Sequence, residues 1–326
     1  MKHLLLLSIV FIFFSFDCRS NHLKDTIVLL GENHQQDNCE NKIRVIKEYL
    51  KFNDSLTIFL ELPISYTKDV RDFISDRNNA KNKFNRDIRK NYFQNKKDIK
   101  NFLIELKNIF QNDHKEIEVI CFDMELAKRK KPFQGLDRIL KYYPKIKKTK
   151  LQNYLAKSNL SDIDLIEKEL RSDSVYKSIL KKDYNLLLNV LTSIDISLNS
   201  GKQSVFNNEL MKKREEFMCY IIKSFGRSSV KLIFIGQDHV SKLENDPWFD
   251  FTTLRVLLEK NESTLVSIYT IYQKEYYKLF SIFALYADNL CEPDFKMLLK
   301  LKFLFSSSEL ECSPELSKRC DYLTLI

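Results

Sequence analysis

Glycine and proline are scarce in this sequence, at 5 and 6 in 326 residues. That scarcity excludes collagen-like repeats and Pro/Gly-rich low-complexity chains. Cysteines stand at 18, 39, 121, 219, 291, 312 and 320 without a CxxC pair, so neither a zinc ribbon nor a dithiol redox motif is present. After residue 16 no apolar run approaches the roughly 20 residues of a membrane helix. The net charge of +9 comes from Lys and Arg scattered among Asn, Asp and Glu, without an RNA-binding or basic-heptad pattern. It reads as a solvated surface, and no nucleic-acid partner is expected.

What is present suits a folded chain: 44% hydrophobic, 30% charged and 12% aromatic residues, in a length fit for one large domain or a domain with an insertion. At the N-terminus, Lys2 and His3 precede the apolar run Leu4–Phe16, which has the shape of a signal-peptide core. Two outcomes are open: cleavage after Ser20, or lipidation and membrane attachment at Cys18, for which Asp17 is a poor lipobox residue. Either implies export, to the periplasm, to the cell envelope as a lipoprotein, or as a secreted protein. Residues 1–20 are assigned to this signal. Of the remaining cysteines, Cys121 and Cys219 lie in apolar surroundings and are expected as buried thiols, while Cys312 and Cys320 could close a disulfide loop.

Four short, near-continuous apolar runs read as strands buried on both faces: Thr26–Leu30, Leu56–Leu60, Ile117–Phe122 and Lys231–Ile235. Helical patterns come after the first, at Asn38–Leu50, and before the third, at Lys96–Phe110. This alternation predicts an α/β fold with a mixed, largely parallel sheet flanked by helices. Residues 21–135 and 205–326 are assigned to that core. Residues 136–204 are expected to form an insertion or lid of two to four helices, and Glu209–Phe225 a long amphipathic helix. Leu265–Tyr272 and Tyr277–Tyr286 are expected as antiparallel additions at the sheet edge. Glu125 is read as a surface helix residue and the basic stretch Arg77–Lys107 as a solvated helical face.

The residues just past each strand carry the chemistry. The four runs lead into Gly31-Glu32-Asn33-His34, Glu61, Asp123 and Gly236-Gln237-Asp238-His239. The carboxyl edge of an α/β sheet is where ligand clefts form, so the expected active cleft lies there. Random placement of five glycines and five histidines predicts roughly 0.08 Gly-x-x-His matches in such a chain; this one has two, each directly after a strand. Neutral histidine is the usual general base near neutral pH and needs a partner to fix its tautomer; Glu32, Glu61 and Asp123 are candidates. The same types, with His34, His239 and Glu61 foremost, could instead hold a divalent transition metal. Gly31 and Gly236 would let backbone approach a substrate closely. Arg214 opens the helix before the last core strand.

These residues resemble the superfamily of erythromycin esterase-like proteins, ChaN-type haem-uptake lipoproteins and TraB/Tiki proteins. The likeness rests on GENH at 31–34, Leu60-Glu61, FDME at 122–125, Arg214 to Met218 and GQDH at 236–239, and spans most of 26–240. It implies that His34 is the general base activating water and that Glu32 and Glu61 position or polarise it. His239 would contact substrate or the developing oxyanion, while Asp123 and Arg214 buttress the cleft. The esterases carry a Thr between Glu and His and a Gly after the His; here only Asn33 intervenes and Gln35 comes next, a spacing closer to ChaN and Tiki. The expectation is a hydrolase of esters, lactones or amides acting on a small-molecule or peptide substrate. The alternatives are a non-catalytic haem- or metal-binding envelope protein and a metal-dependent protease.

Overall fold

The computed structural model describes residues 26–32, 38–75, 96–112, 115–125, 132–157, 162–199, 208–226, 228–241, 251–259, 264–271, 304–306 and 322–325. The core is an α/β sandwich. Strands β1 (Thr26–Glu32), β2 (Ser55–Pro63), β3 (Glu116–Asp123) and β4 (Val230–Gly236) join β5 (Thr264–Ile271), β6 (Leu304–Ser306) and β7 (Tyr322–Leu325) in the order β3-β2-β4-β1-β5-β7-β6. All neighbours pair parallel except β6 with β7, which are antiparallel.

Both faces of the sheet are covered, which explains why the strand sequences are apolar runs rather than alternating ones. On one face Val28, Leu30, Ile58, Leu60, Val119 and Phe234 pack against α1 (Cys39–Phe52), α2 (Thr67–Ile74) and α3 (Lys96–Asn112). On the other face Ile27, Leu29, Phe59, Ile120, Ile233 and Ile235 join the core of the remaining helices. Those are α4 (Gln134–Leu140), α5 (Lys150–Lys157), α6 (Ile163–Ser172), α7 (Ser174–Leu180), α8 (Tyr184–Asn199), α9 (Asn208–Ser224) and α10 (Leu254–Glu259). Every regular element described between β3 and α9 is helical, and Leu187, Val190 and Ile194 of α8 share the sheet's own apolar cluster.

Two sequence expectations are corrected. In the segment after β3, α4 starts just ahead of residue 136 and α5 to α8 lie within 136–204. Asp173 separates α6 from α7: it ends α6 in extended conformation and at once caps α7, its side chain accepting from Val175 N. The strand over 264–271 is not an antiparallel edge addition: it pairs parallel with β1 inside the sheet. The connection from β4 carries α10, the kind of crossover a parallel strand needs. Glu125 is not on the surface. Only 8% exposed, it accepts from Ser65 N at 3.0 Å and stands 3.7 Å from Arg138. Tyr277–Tyr286, Cys291, Cys312 and Cys320 lie outside the described residues. Cys121 and Cys219 are buried thiols, as their surroundings suggested.

Candidate active site at the strand carboxyl ends

Parallel pairing brings the strand ends level. Glu32 is the register partner of Gly236, and Asp123 that of Pro63. Between Leu60 and Pro63 the register of β2 against β3 shifts, and Glu61 lies within that irregularity. Bulges of this kind re-aim a side chain at a strand end.

Glu61 is held from two sides. Its Oε1 accepts from Arg214 Nη2 at 2.6 Å, and its Oε2 accepts from the Gly236 backbone N–H at 2.6 Å. Arg214, in α9, also donates to Asp123 through Nε at 2.7 Å and Nη2 at 3.0 Å. Asp123 in turn accepts from Met124 N at 2.7 Å. One guanidinium thus clamps the carboxylates of two neighbouring strands, the planar fork geometry that arginine provides and lysine does not. Burial opposes the charge on Arg214, but Asp123 and then Glu61 outweigh it and raise its pKa still further.

His239 sits in the short 3₁₀ helix Gln237–Val240 that caps β4 and is buried. Its Nδ1 is hydrogen-bonded to Glu215 Oε1, and its Nε2 lies 3.7 Å from Glu61 Oε1. Burial alone would lower the His239 pKa. The Glu215 charge and hydrogen bond, with Glu61 behind them, overcome burial and the opposing Arg214, so the net shift is upward.

Glu32 serves a different neighbourhood. Strand alternation turns it, like Leu30, toward the α1/α3 face. There Glu32 Oε2 is 3.0 Å from Lys42 Nζ, which also donates to Asp98 at 2.9 Å; Asp98 accepts from Asn38 N at 2.7 Å. Burial works to lower the Lys42 pKa, but Glu32 and Asp98 raise it above its usual value.

The structure therefore brings together Glu61, Asp123, Arg214, Gly236 and His239, and fixes Glu32 through Lys42 and Asp98. Gly31 pairs with Ile235 inside the sheet. His34 lies outside the described residues. Three participants were not singled out in the sequence: Glu215, Lys42 and Asp98. Glu215 had a signal, since it shares an i, i+3, i+4, i+7 stripe with buried Met218, Cys219 and Ile222. Lys42 likewise shares its helix face with buried Val45 and Ile46, whereas Asp98, with Asn101 three residues on and Glu105 seven, carried no such signal.

Among the described residues no three His, Cys, Asp or Glu side chains are grouped to hold a metal ion. Both oxygens of Glu61 are engaged by Arg214 and Gly236, whereas His239 binds Glu215 through Nδ1 and keeps Nε2 as its open ring nitrogen. The cation between the carboxylates is the guanidinium.

No protein-family profile and no curated protein matches the chain. Among solved structures, an erythromycin esterase, EreC, captured as a histidine variant in its open conformation, superposes with a TM-score of 0.57 at 12% identity. That match covers 96% of this chain and 93% of the esterase. A structural-genomics target from Bacillus cereus gives a TM-score of 0.53 at 14% identity, covering 78% of this chain and 67% of that one. The haem-binding ChaN of Campylobacter jejuni matches at a TM-score of only 0.36, 12% identity and 93% and 88% coverage, too loose to carry an argument. The chain has the fold of the erythromycin esterase-like structures.

Proposed function

We propose that this chain is an exported hydrolase that activates water at the carboxyl ends of β1, β2 and β4 for attack on an ester, lactone or amide. The observation that supports it most is the convergence of Glu61, Arg214, the Gly236 N–H and His239 at one sheet edge, in a chain sharing its fold with an esterase. The export part rests on the Leu4–Phe16 run. No helix among the described residues is long and apolar enough to cross a membrane.

In the proposed reaction His34 takes a proton from water as the oxygen adds to the carbonyl carbon. The carbonyl π pair moves onto oxygen as an oxyanion. Collapse expels the alcohol or amine, which takes up the proton. Glu61 orients the water, His239 faces the oxyanion, and Arg214 with Asp123 keeps Glu61 from moving. Preorganised groups of this kind lower a barrier because they do not reorganise as charge develops.

The test is turnover by the mature chain on a panel of esters, lactones and amides, with and without chelator. His34→Ala should abolish turnover while the melting temperature stays within a few degrees; His239→Ala should abolish turnover too and also lower the melting temperature, because it unpairs buried Glu215. Turnover lost in chelator and restored by Mn, Co or Zn would shift the reading to a metal-dependent protease. No turnover, with a Soret band on titration by micromolar haem, would replace it with a non-catalytic haem binder.

A further inference from the structure

Glu215 is completely buried in α9, on a stripe otherwise made of Met218, Cys219 and Ile222. An ionisable side chain there carries a desolvation cost of several kcal/mol unless it is paired. Its Oε1 is bonded to His239 Nδ1, while its Oε2 is buried without a hydrogen-bond partner among the described residues. Core packing alone would be served better by leucine at this position, so its presence points to a role.

We infer that Glu215 is a positioning residue that commits the Nδ1–H of His239 inward, leaving Nε2 as the ring atom presented to the substrate beside Glu61. In this arrangement the Glu215 oxygen accepts and Nδ1 carries the proton of the pair. Which ring nitrogen of a histidine is free to act is set by the bond the other one makes. The segment carrying His239 is fixed as well. Thr253 Oγ1 donates to Ser241 O at 2.6 Å, and the Phe251 ring stands 6.5 Å from the imidazole. Nε2 is thereby held 3.7 Å from Glu61 Oε1, whose own position Arg214 and Gly236 define. The upward pKa shift of His239 agrees with this arrangement, because Glu215 favours the imidazolium, whose Nε2–H can donate to an oxyanion. The substrate step rests on the hydrolase reading; the ring orientation does not.

The test is ring ¹⁵N spectroscopy of the ¹⁵N-histidine-labelled mature chain, with His239 assigned from the His239→Phe spectrum. Expected is an Nδ1 shift of the protonated type across the neutral range, lost in Glu215→Leu, which keeps the volume and suits the apolar stripe. An unprotonated Nδ1 in the wild type overturns the inference; so does an Nδ1 signal unchanged in Glu215→Leu. On any ester that is turned over, Glu215→Gln should lower kcat at least about tenfold with KM within about twofold, a split that general destabilisation would not give. If no substrate is turned over, the hydrolase reading fails while the ¹⁵N result still decides the role of Glu215.

Discussion

Arg214 donates to Glu61 at 2.6 Å across 153 residues of sequence, and the same guanidinium closes a fork on Asp123. Removing it leaves two carboxylates facing each other with little water to screen them. Arg214→Ala should cost about 3 kcal/mol, the lower end for a broken buried pair, because Arg214 keeps 18% of its side chain exposed. Arg214→Lys should recover the charge but not the fork and fall between. Urea unfolding measures both; a loss below about 1 kcal/mol for the alanine variant would mean the clamp is replaceable by water.

Lys42 is the buried cation between Glu32 and Asp98, with its Nζ 5.0 Å from the Phe102 ring centroid. Lys42→Met keeps the volume and strands two carboxylates, so a loss of about 3–5 kcal/mol is expected. Adding Asp98→Asn should return part of it, with a coupling of about 1–3 kcal/mol in the double-mutant cycle. Strict additivity would show that the two side chains do not act as a unit.

Glu125 ties the end of β3 to the 3₁₀ turn Ile64–Tyr66 that comes after β2, and to α4 through Arg138, whose guanidinium stacks on Tyr66 at 3.7 Å. The fit is close: a Cβ on Gly135 would meet the Glu125 carboxyl carbon at 2.7 Å. Glu125→Ala leaves the Ser65 N–H and Arg138 without this partner and should cost about 3 kcal/mol. Gly135→Ala should destabilise in the wild type and much less in Glu125→Ala, where the obstructing carboxyl is gone. Equal effects in both backgrounds would contradict that packing.

The His239 pKa is raised above its ordinary value of 6.5. The protonated form is therefore favoured by folding. Its contribution is fully present below about pH 6.5 and is lost as pH rises through the folded-state value. The stability difference between wild type and His239→Phe, measured by denaturant between about pH 6 and 9, should shrink as pH increases. Growth with pH would place the folded pKa below the ordinary value and reverse the balance among Glu215, Glu61, Arg214 and burial.

The four core strands were legible because a strand covered on both faces must be apolar throughout, and such a run shows locally. Each predicted run lies inside an observed strand, and the residue types just beyond them mark the carboxyl edge. Sequence alone determined that much: buried strands, intervening helices, and acids and histidines at the strand ends. It did not determine strand order, because β4 enters between β2 and β1 through pairings some 170 to 200 residues away, which no local period encodes. The inner place of β5 was hidden for the same reason.

Only the tertiary structure decided which strand-end groups meet. Glu32 and Glu61 look equivalent as residues, yet strand alternation and the irregularity in β2 send them to opposite faces of the sheet, one to Lys42 and the other to Arg214. A side chain's direction at a strand end depends on register, and its partner on which helix covers that face. Both are fixed when distant segments pack. The resemblance named Arg214 as a buttress, but its bond to Glu61, and that of Glu215 to His239, become identifiable only once α9 lies against the sheet.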